Sequence, residues 1–235
     1  MPTPLPQLLA GALVPLGLTL KVALTATLGA FAAGLAAGFV LSRPGPSGRG
    51  LPGREVLDAL CTLPLVLPPT VIGYYLLVLF GRHGVLGIWL KDAFGVSLIF
   101  TWQGAALAAS VVAFPLVCKA ARTAFEGVDR NLESAARSLG AGELRVFLCV
   151  SLPLAWRGVL SGAMLALARA MGEFGATLMI AGSLPGRTQT LSLAVYEAVQ
   201  AGRDDEAAFL VALVSLVCVL LLLASGKFLK PSHAT

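Results

Sequence analysis

Two oppositely charged side chains, Arg169 and Glu173, interrupt a long apolar stretch of this sequence. Residues four apart lie on one face of a helix, so the guanidinium and the carboxylate can reach each other. A single charge in the middle of a membrane costs about 2.5–3.5 kcal/mol on insertion scales, which favours pairing. The spacing therefore predicts an ion pair. That pair either neutralises two charges or lines a polar route for a solute, and the residue types leave both interpretations open.

A second apolar stretch contains Pro68, Pro69 and Thr70. Proline has no backbone N–H, so it removes hydrogen bonds from a helix. Within a membrane such a break is tolerated where protein or a water-lined cavity satisfies the freed carbonyls. The sequence predicts either a simple kink or a narrowing at which the Thr70 hydroxyl can donate a hydrogen bond. Pro69 and Thr70 therefore join Arg169 and Glu173 as candidate pathway residues.

The segment 122–158 is much longer than a connection between two helices requires, since such connections can be only a few residues. It contains the helix-like sequence LESAARSLG at 132–140 and then ELRVFLCVSLPL at 143–154. Gly140 permits the left-handed conformation that ends a helix. Pro153 is expected to prevent the next helix from beginning earlier. A short helix bounded in this way suits docking to a partner, and the alternative is an amphipathic helix that lies on the membrane surface.

The scaffold that positions these residues is predicted to be an all-α integral membrane protein. The chain is 57% hydrophobic and only 12% charged, whereas a soluble domain has about 25% charged residues. A spanning helix needs roughly 20 apolar residues. Five stretches qualify as transmembrane helices of one domain over residues 1–235: 16–41, 56–80, 100–121, 159–182 and 207–228. We take the first as a retained span, because its apolar run is longer than that of a signal peptide and no Lys or Arg precedes Lys21.

The orientation of the spans follows from the 17 Lys and Arg residues. Eleven of them lie after the first and third stretches or in the tail, and four lie in the alternate segments. The basic side of a membrane protein is cytoplasmic, so we expect the N-terminus outside and the C-terminus inside. The net charge of +5 is then explained by residues that flank the spans, and we expect no nucleic-acid partner.

The order Ala135, Ala136, Gly140 and Pro153 resembles the cytoplasmic signature of ABC importer permeases. In that family the short helix sits in a groove of the ATPase subunit and converts closure of that subunit into movement of the spans. The resemblance implies ATPase-coupling roles for five residues: Glu133, Ala135, Ala136, Gly140 and Pro153. One difference is that Ser134 holds the usual Glu position and Glu133 lies one residue earlier. A shift of one residue turns a side chain by about 100° around a helix, so this carboxylate points in a different direction.

Two further stretches resemble the permeases of molybdate importers: TLPLVLPPTVIGYYLLVLFG at 62–81 and LARAMGEFGATLMIAGSLPGRTQTLSLAVY at 167–196. The sequence GEFGAT within the second is shared with sulfate permeases. The resemblance implies a type I ABC importer permease with a cytoplasmic coupling helix, in the cytoplasmic membrane of a prokaryote. It also implies a second permease copy, two ABC ATPase subunits that use ATP and Mg²⁺, an external substrate-binding protein and an oxyanion substrate. This chain itself would bind no cofactor and no metal.

Other functions remain as alternatives. The substrate can be tungstate, sulfate or thiosulfate instead of molybdate. A proton-coupled secondary transporter would explain Glu173 within a span but would leave residues 122–158 without a role. A membrane enzyme is disfavoured because the two histidines, His83 and His233, form no HExxH or nucleophile–base pattern. Nucleotide hydrolysis by this chain is disfavoured because no GxxxxGK[ST] loop is present.

Overall fold

The computed structural model describes residues 4–43 and 53–229, and over these ranges the chain forms helices, turns and no strands. The connection 44–52 and the tail 230–235 lie outside the described residues, and with them the predicted cytoplasmic residues Arg49 and Lys230 and the tail residue His233. Eleven α-helices cover most of the described chain: α1 (Leu5–Ser42), α2 (Arg54–Val66), α3 (Pro69–Phe80), α4 (Val85–Phe94), α5 (Trp102–Glu126), α6 (Arg130–Ser138), α7 (Glu143–Val146), α8 (Leu152–Met171), α9 (Gly175–Ala181), α10 (Leu191–Gln200) and α11 (Asp204–Leu229).

Three helical segments among the described residues are long and apolar enough to cross a membrane. They are α1, α5 and the continuous segment Glu143–Met171 that contains α7 and α8. The pair α2 and α3 adds a fourth if the two helices form one span. The all-helical membrane class is therefore confirmed. The count of five spans stays a prediction, although α11 occupies the fifth predicted stretch.

Small residues allow α1 and α5 to pack with their backbones close together. A Cβ added at Gly34 would lie 2.7 Å from Val117 Cβ, and one added at Gly38 would lie 2.7 Å from the Cys118 carbonyl oxygen. Residue numbers thus increase in the same direction along α1 and α5 where the two helices touch, so the helices run parallel. Close packing of small residues is a common way for helices to associate in lipid.

The segment that contains α8 runs antiparallel to α5. Added Cβ atoms at Gly158 and Gly162 would each lie 2.6 Å from a methyl group, that of Ala124 and that of Ala120 respectively. The order along one helix is thus the reverse of the order along the other. The C-terminal ends of α1 and α5 and the beginning of α7 therefore share one end of the bundle, and α6 lies there.

Two predicted spans are broken in the structure. The stretch 56–80 is not one straight helix: α2 and α3 are bent by 108° at Leu67–Pro68. The stretch 159–182 is also wrong as one helix, because α8 ends at Met171 and α9 begins at Gly175. The first break follows from the missing N–H groups of two successive prolines.

The expectation that Pro153 delays the start of a helix is also wrong. Helical structure begins at Glu143 and passes through a π-helical turn, Phe147–Ser151, into α8. The Leu152 N–H donates to the carbonyl of Phe147, five residues earlier. Because Pro153 cannot donate and its ring crowds the preceding turn, the helix widens there instead of ending.

Candidate pathway and coupling sites

The two helix breaks lie side by side. A Cβ added at Gly175 would lie 3.1 Å from Thr70 Cγ2 and 3.3 Å from Pro69 Cβ. One turn further along α3, a Cβ at Gly73 would lie 2.7 Å from Ala176 Cα. The first turns of α3 and α9 are therefore in backbone contact. The structure thus brings Pro69 and Thr70 next to the segment that contains Glu173.

The predicted ion pair of Arg169 and Glu173 is present, with Arg169 Nη1 2.8 Å from Glu173 Oε2. The two residues do not share one continuous helix, because Glu173 lies in the break after α8. Its other oxygen, Oε1, accepts a hydrogen bond of 2.9 Å from the Ala176 N–H in the first turn of α9. The side chain of Glu173 is 2% exposed and that of Arg169 is 32% exposed. The carboxylate therefore joins α8 to α9, while the guanidinium stays partly exposed.

Tyr74, on the open face of α3, is a polar residue that the sequence analysis missed. Thr70 is exposed, and Tyr74, one turn later on the same face, is 55% exposed. The spacing of four residues between two hydroxyl side chains is a signal that was available in the sequence. The two residues place hydroxyl groups on one face of α3, and the neighbouring Tyr75, which is 56% exposed, carries a third hydroxyl.

The short helix α6 has the boundaries that a separate docking element needs. Asp129 Oδ1 accepts a hydrogen bond of 2.9 Å from the Asn131 N–H and caps its beginning. At its end Gly140 has φ +83°, its N–H donates to the Arg137 carbonyl, and the Ala141 N–H donates to the Ala136 carbonyl. These are the two hydrogen bonds of a Schellman motif, so Gly140 ends the helix in the left-handed conformation as the sequence predicts.

One side of α6 is apolar and open, and we call it the docking face. It consists of Leu132, Ala135, Leu139 and the neighbouring Leu144, all of them exposed. Leu139 is 90% exposed. Beside it lies a cavity of about 280 Å³ that Ala136 lines together with Leu139. An exposed apolar patch of this kind on a polar loop is typical of a protein interaction site.

Glu133 does not lie on the docking face. Its side chain is 1% exposed and forms ion pairs with Arg43 and Arg130. The Ser151 hydroxyl donates a hydrogen bond of 2.6 Å to Glu133 Oε1. Glu133, for which the resemblance implies a role in ATPase coupling, therefore contacts its own chain in this structure.

Burial alone would raise the pKa of the Glu133 carboxyl. Hydrogen bonds from Arg43, Ser151 and Arg130 outweigh burial and hold this pKa below its ordinary value. Glu133 is therefore ionised at neutral pH, and its contacts are charge-assisted hydrogen bonds.

A second charged cluster at the same end of the bundle joins α2 to α5. Lys119 Nζ and Arg122 Nη1 each lie 2.9 Å from Asp58 Oδ1. Arg54 Nη2 lies 2.6 Å from Glu126 Oε1. Nothing in the local sequence predicts these pairs, since their members are more than 60 positions apart. Over the part of the chain that the structure describes, no group of three or more His, Cys, Asp or Glu side chains is placed to hold a metal ion.

Packed apolar helices and two helix breaks that lie in contact are typical of membrane transport proteins. Residues 27–233 match the family model described as the binding-protein-dependent transport system inner membrane component. The chain belongs to this family, whose members are permease subunits of ABC importers.

The chain is similar to proteins named as molybdenum permeases. It is 46% identical over 178 residues to the molybdenum transport system permease protein ModB of Escherichia coli strain K12, which covers 76% of this chain and 78% of that protein. It is 41% identical over 215 residues to ModB of Haemophilus influenzae, which covers 92% of each chain. The sulfate transport system permease protein CysW of Synechococcus elongatus also matches, at 38% identity over 191 residues, which covers 80% of this chain and 65% of that protein.

The fold is that of solved importer permeases. A chain of the inward-facing MetNI methionine ABC transporter superposes with a TM-score of 0.73, at 17% identity, over 97% of this chain and 98% of that one. This likeness confirms the type I ABC importer permease fold that the sequence predicts.

Proposed function

We propose that this chain is the membrane-spanning permease subunit of an ABC importer that moves molybdate across the cytoplasmic membrane of a prokaryote. The choice of molybdate as the substrate is supported mainly by the 46% identity to a permease named for molybdenum transport. ATP with Mg²⁺ is bound and hydrolysed by a separate subunit. Gly226 and Lys227 are followed by Phe228 in this sequence and so form no phosphate-binding loop.

The docking face of α6 is the contact for the ATPase subunit. Ala135 is small and Leu139 is apolar, and both are exposed, so they can enter a groove on the ATPase. Gly140 ends the helix, so only one compact face is presented to that groove. The bundle end that carries α6 is cytoplasmic, with the N-terminus outside and the C-terminus inside. Basic residues on this side of the membrane agree with the usual distribution.

The oxyanion passes along the open face of α3 near the break between α8 and α9. Thr70 donates a hydrogen bond to the oxyanion there, and Pro69, as the first residue of α3, fixes where this helix begins. A bare Glu173 would repel a dianion, whereas Arg169 at 2.8 Å cancels that field and leaves the route permissive. The four residues act together because the two breaks are in contact.

One chain supplies only half of this route. Thr70 and Tyr74 are exposed on the isolated subunit, so a second copy is needed to enclose them. The working assembly therefore contains two permease copies, two ATPase subunits and an external binding protein that delivers the oxyanion. Each copy crosses the membrane five times, with α11 as the last span.

The test is uptake of radiolabelled molybdate by proteoliposomes that contain the permease, its ATPase subunit and its binding protein, with ATP inside. We expect ATP-dependent uptake that unlabelled tungstate competes with and sulfate does not. An ATPase variant that cannot hydrolyse ATP is the control. Uptake of sulfate without molybdate would favour the sulfate permease instead, and uptake driven by a proton gradient without ATP would reject the ABC mechanism.

A further inference from the structure

Glu133 is a buried carboxylate on a helix that otherwise faces solvent. Its side chain is 1% exposed, while Leu132 on one side is 49% exposed and Ser134 on the other is also exposed. A buried charge is unfavourable unless it is paired and hydrogen-bonded. The carboxylate therefore marks the point at which α6 is attached to the rest of the chain.

Two partners of Glu133 come from the segments that continue into spans, and two others, Arg130 and Arg137, come from α6 itself. Arg43 follows the last residue of α1 and pairs with Oε2. Ser151 ends the π-helical turn before α8 and donates to Oε1. Arg130 of α6 lies 3.1 Å from Oε2 and also donates a hydrogen bond of 2.8 Å to the Ser42 carbonyl. One carboxylate thus fastens α6 to the ends of two membrane helices.

An aromatic cluster carries these contacts into the bundle. The Arg43 guanidinium lies over the Phe39 ring, 4.3 Å from its centroid. The ring of Phe39 packs edge-on against Phe125 of α5, with ring centroids 5.2 Å apart. It also packs edge-on against Phe147 of the π-helical turn, with ring centroids 4.6 Å apart. A displacement of α6 would be passed through Arg43 to α1, α5 and the segment leading to α8, because closely packed side chains transmit strain.

The π-helical turn contributes to this geometry. A turn with one extra residue rotates the side chains before it relative to those after it, and such turns occur often at functional sites. Ser151 ends the turn and is fully buried against Glu133. Pro153 follows Ser151 by two residues, so the turn that accommodates the proline also carries the hydroxyl that binds Glu133.

We propose that Glu133 is the positioning residue that fastens the docking helix α6 to the ends of α1 and α8, so that movement of the ATPase reaches the spans. This inference rests on the proposed function. Glu133 acts inside its own chain and makes no contact with the ATPase. The docking face lies on the opposite side of α6 and stays intact when the carboxylate is changed.

A residue that only stabilised the fold would lower assembly, ATP hydrolysis and transport together. A residue that transmits movement has a different signature: the ATPase still docks and hydrolyses ATP, but less substrate moves for each ATP. The ratio of molybdate transported to ATP hydrolysed is therefore the decisive readout. It is measured in proteoliposomes that contain the whole complex.

Glu133→Gln keeps the size of the side chain and removes its charge. We expect this ratio to fall about tenfold, because charge-assisted hydrogen bonds to Arg43 and Arg130 are lost, while the amount of bound ATPase stays the same. Glu126→Gln is the matched control, since Glu126 also pairs with two arginines at this end of the bundle but is half-exposed. We expect that control to keep the wild-type ratio.

Arg43→Gln should reproduce the effect, and the double variant Glu133→Gln/Arg43→Gln should be no worse than either single one, because the two residues act through one contact. If the Glu133→Gln permease does not fold or insert into the membrane, Ser151→Ala decides, since it removes a single hydroxyl and should lower the ratio by a smaller factor.

Two outcomes would overturn the inference: a wild-type ratio in the assembled Glu133→Gln and Ser151→Ala complexes, or loss of ATPase binding in a correctly folded Glu133→Gln permease. Failure of the proposed function would instead show as absence of ATP-dependent uptake by the wild-type complex.

Discussion

At the scale of single residues, burial decides which member of an ion pair is harder to lose. Glu173 is 2% exposed and Arg169 is 32% exposed. Arg169→Ala leaves a buried carboxylate without a counter-charge, which costs about 3–5 kcal/mol. Glu173→Gln leaves the more accessible guanidinium unpaired and preserves an acceptor for the Ala176 N–H. We therefore expect Arg169→Ala to reduce molybdate uptake more than Glu173→Gln does, measured per permease in the membrane.

Removal of both charges separates a structural role from a role in transport. The variant Arg169→Ala/Glu173→Gln should recover membrane expression, because no uncompensated charge remains. We expect its molybdate uptake to stay low. Normal uptake by this variant would show that the pair only supports packing.

Residues also show why one part of the candidate site was predictable and another was not. The pairing of Arg169 with Glu173 follows from a spacing of four and from the cost of a lone charge in lipid. The inward position of Glu133 depends on Arg43, 90 residues earlier, and on a π-helical turn that no local pattern specifies. The family resemblance indicated a role for the helix α6, but it could not indicate that the Glu133 side chain points inward.

At the scale of elements, α6 ends as it does because one position requires a left-handed backbone. Gly140 has φ +83° and open space around it, so a side chain there would be strained without clashing. Strain of this kind costs about 1–2 kcal/mol. We expect Gly140→Val to weaken ATPase association by about 5–30-fold or to uncouple hydrolysis from uptake, while insertion into the membrane is unchanged.

Gly142 provides the matched control for this prediction. It also has open space around it, but its φ is −67°, which valine adopts readily. Gly142→Val should therefore bind the ATPase like the wild type in a pull-down from detergent. Equal behaviour of the two variants would show that the backbone at Gly140 is unimportant for coupling.

Helix boundaries were less predictable than helix existence. Proline at Pro68 and Pro69 ended a helix, whereas Pro153 was absorbed by a π-helical turn. The difference follows from the number of prolines, because Pro68 and Pro69 together remove two successive N–H groups, whereas single prolines such as Pro15 and Pro115 also lie inside continuous helices. The break after Met171 has no proline, and it is stabilised by the contact of Glu173 with α9. Tertiary contacts of this kind cannot be read from local sequence.

At the scale of the whole molecule, packing fixes the relative directions of the helices, whereas the distribution of charge only predicts which side faces the cytoplasm. The parallel contact of α1 with α5 and the antiparallel contact of α5 with α8 place Arg43, Glu126 and Glu143 at one end. Low charge and long apolar stretches predicted the class of scaffold. The absolute orientation rests on the eleven basic residues predicted on one side against four on the other.

One pair of reporter fusions tests this orientation. A reporter fused after Thr235 should be active in the cytoplasm, and one inserted at Gly186 should be active outside, because an odd number of spans separates the two sites in the five-span topology. Gly186 suits the insertion since it has φ +73° and nothing packs against it. A third fusion within residues 44–52 should behave like the first, because α1 ends on the α6 side. Activity of the first two reporters on the same side would reject the five-span topology. If all three reporters gave the opposite result, the orientation of the protein in the membrane would be reversed, and the packing of its helices would be unaffected.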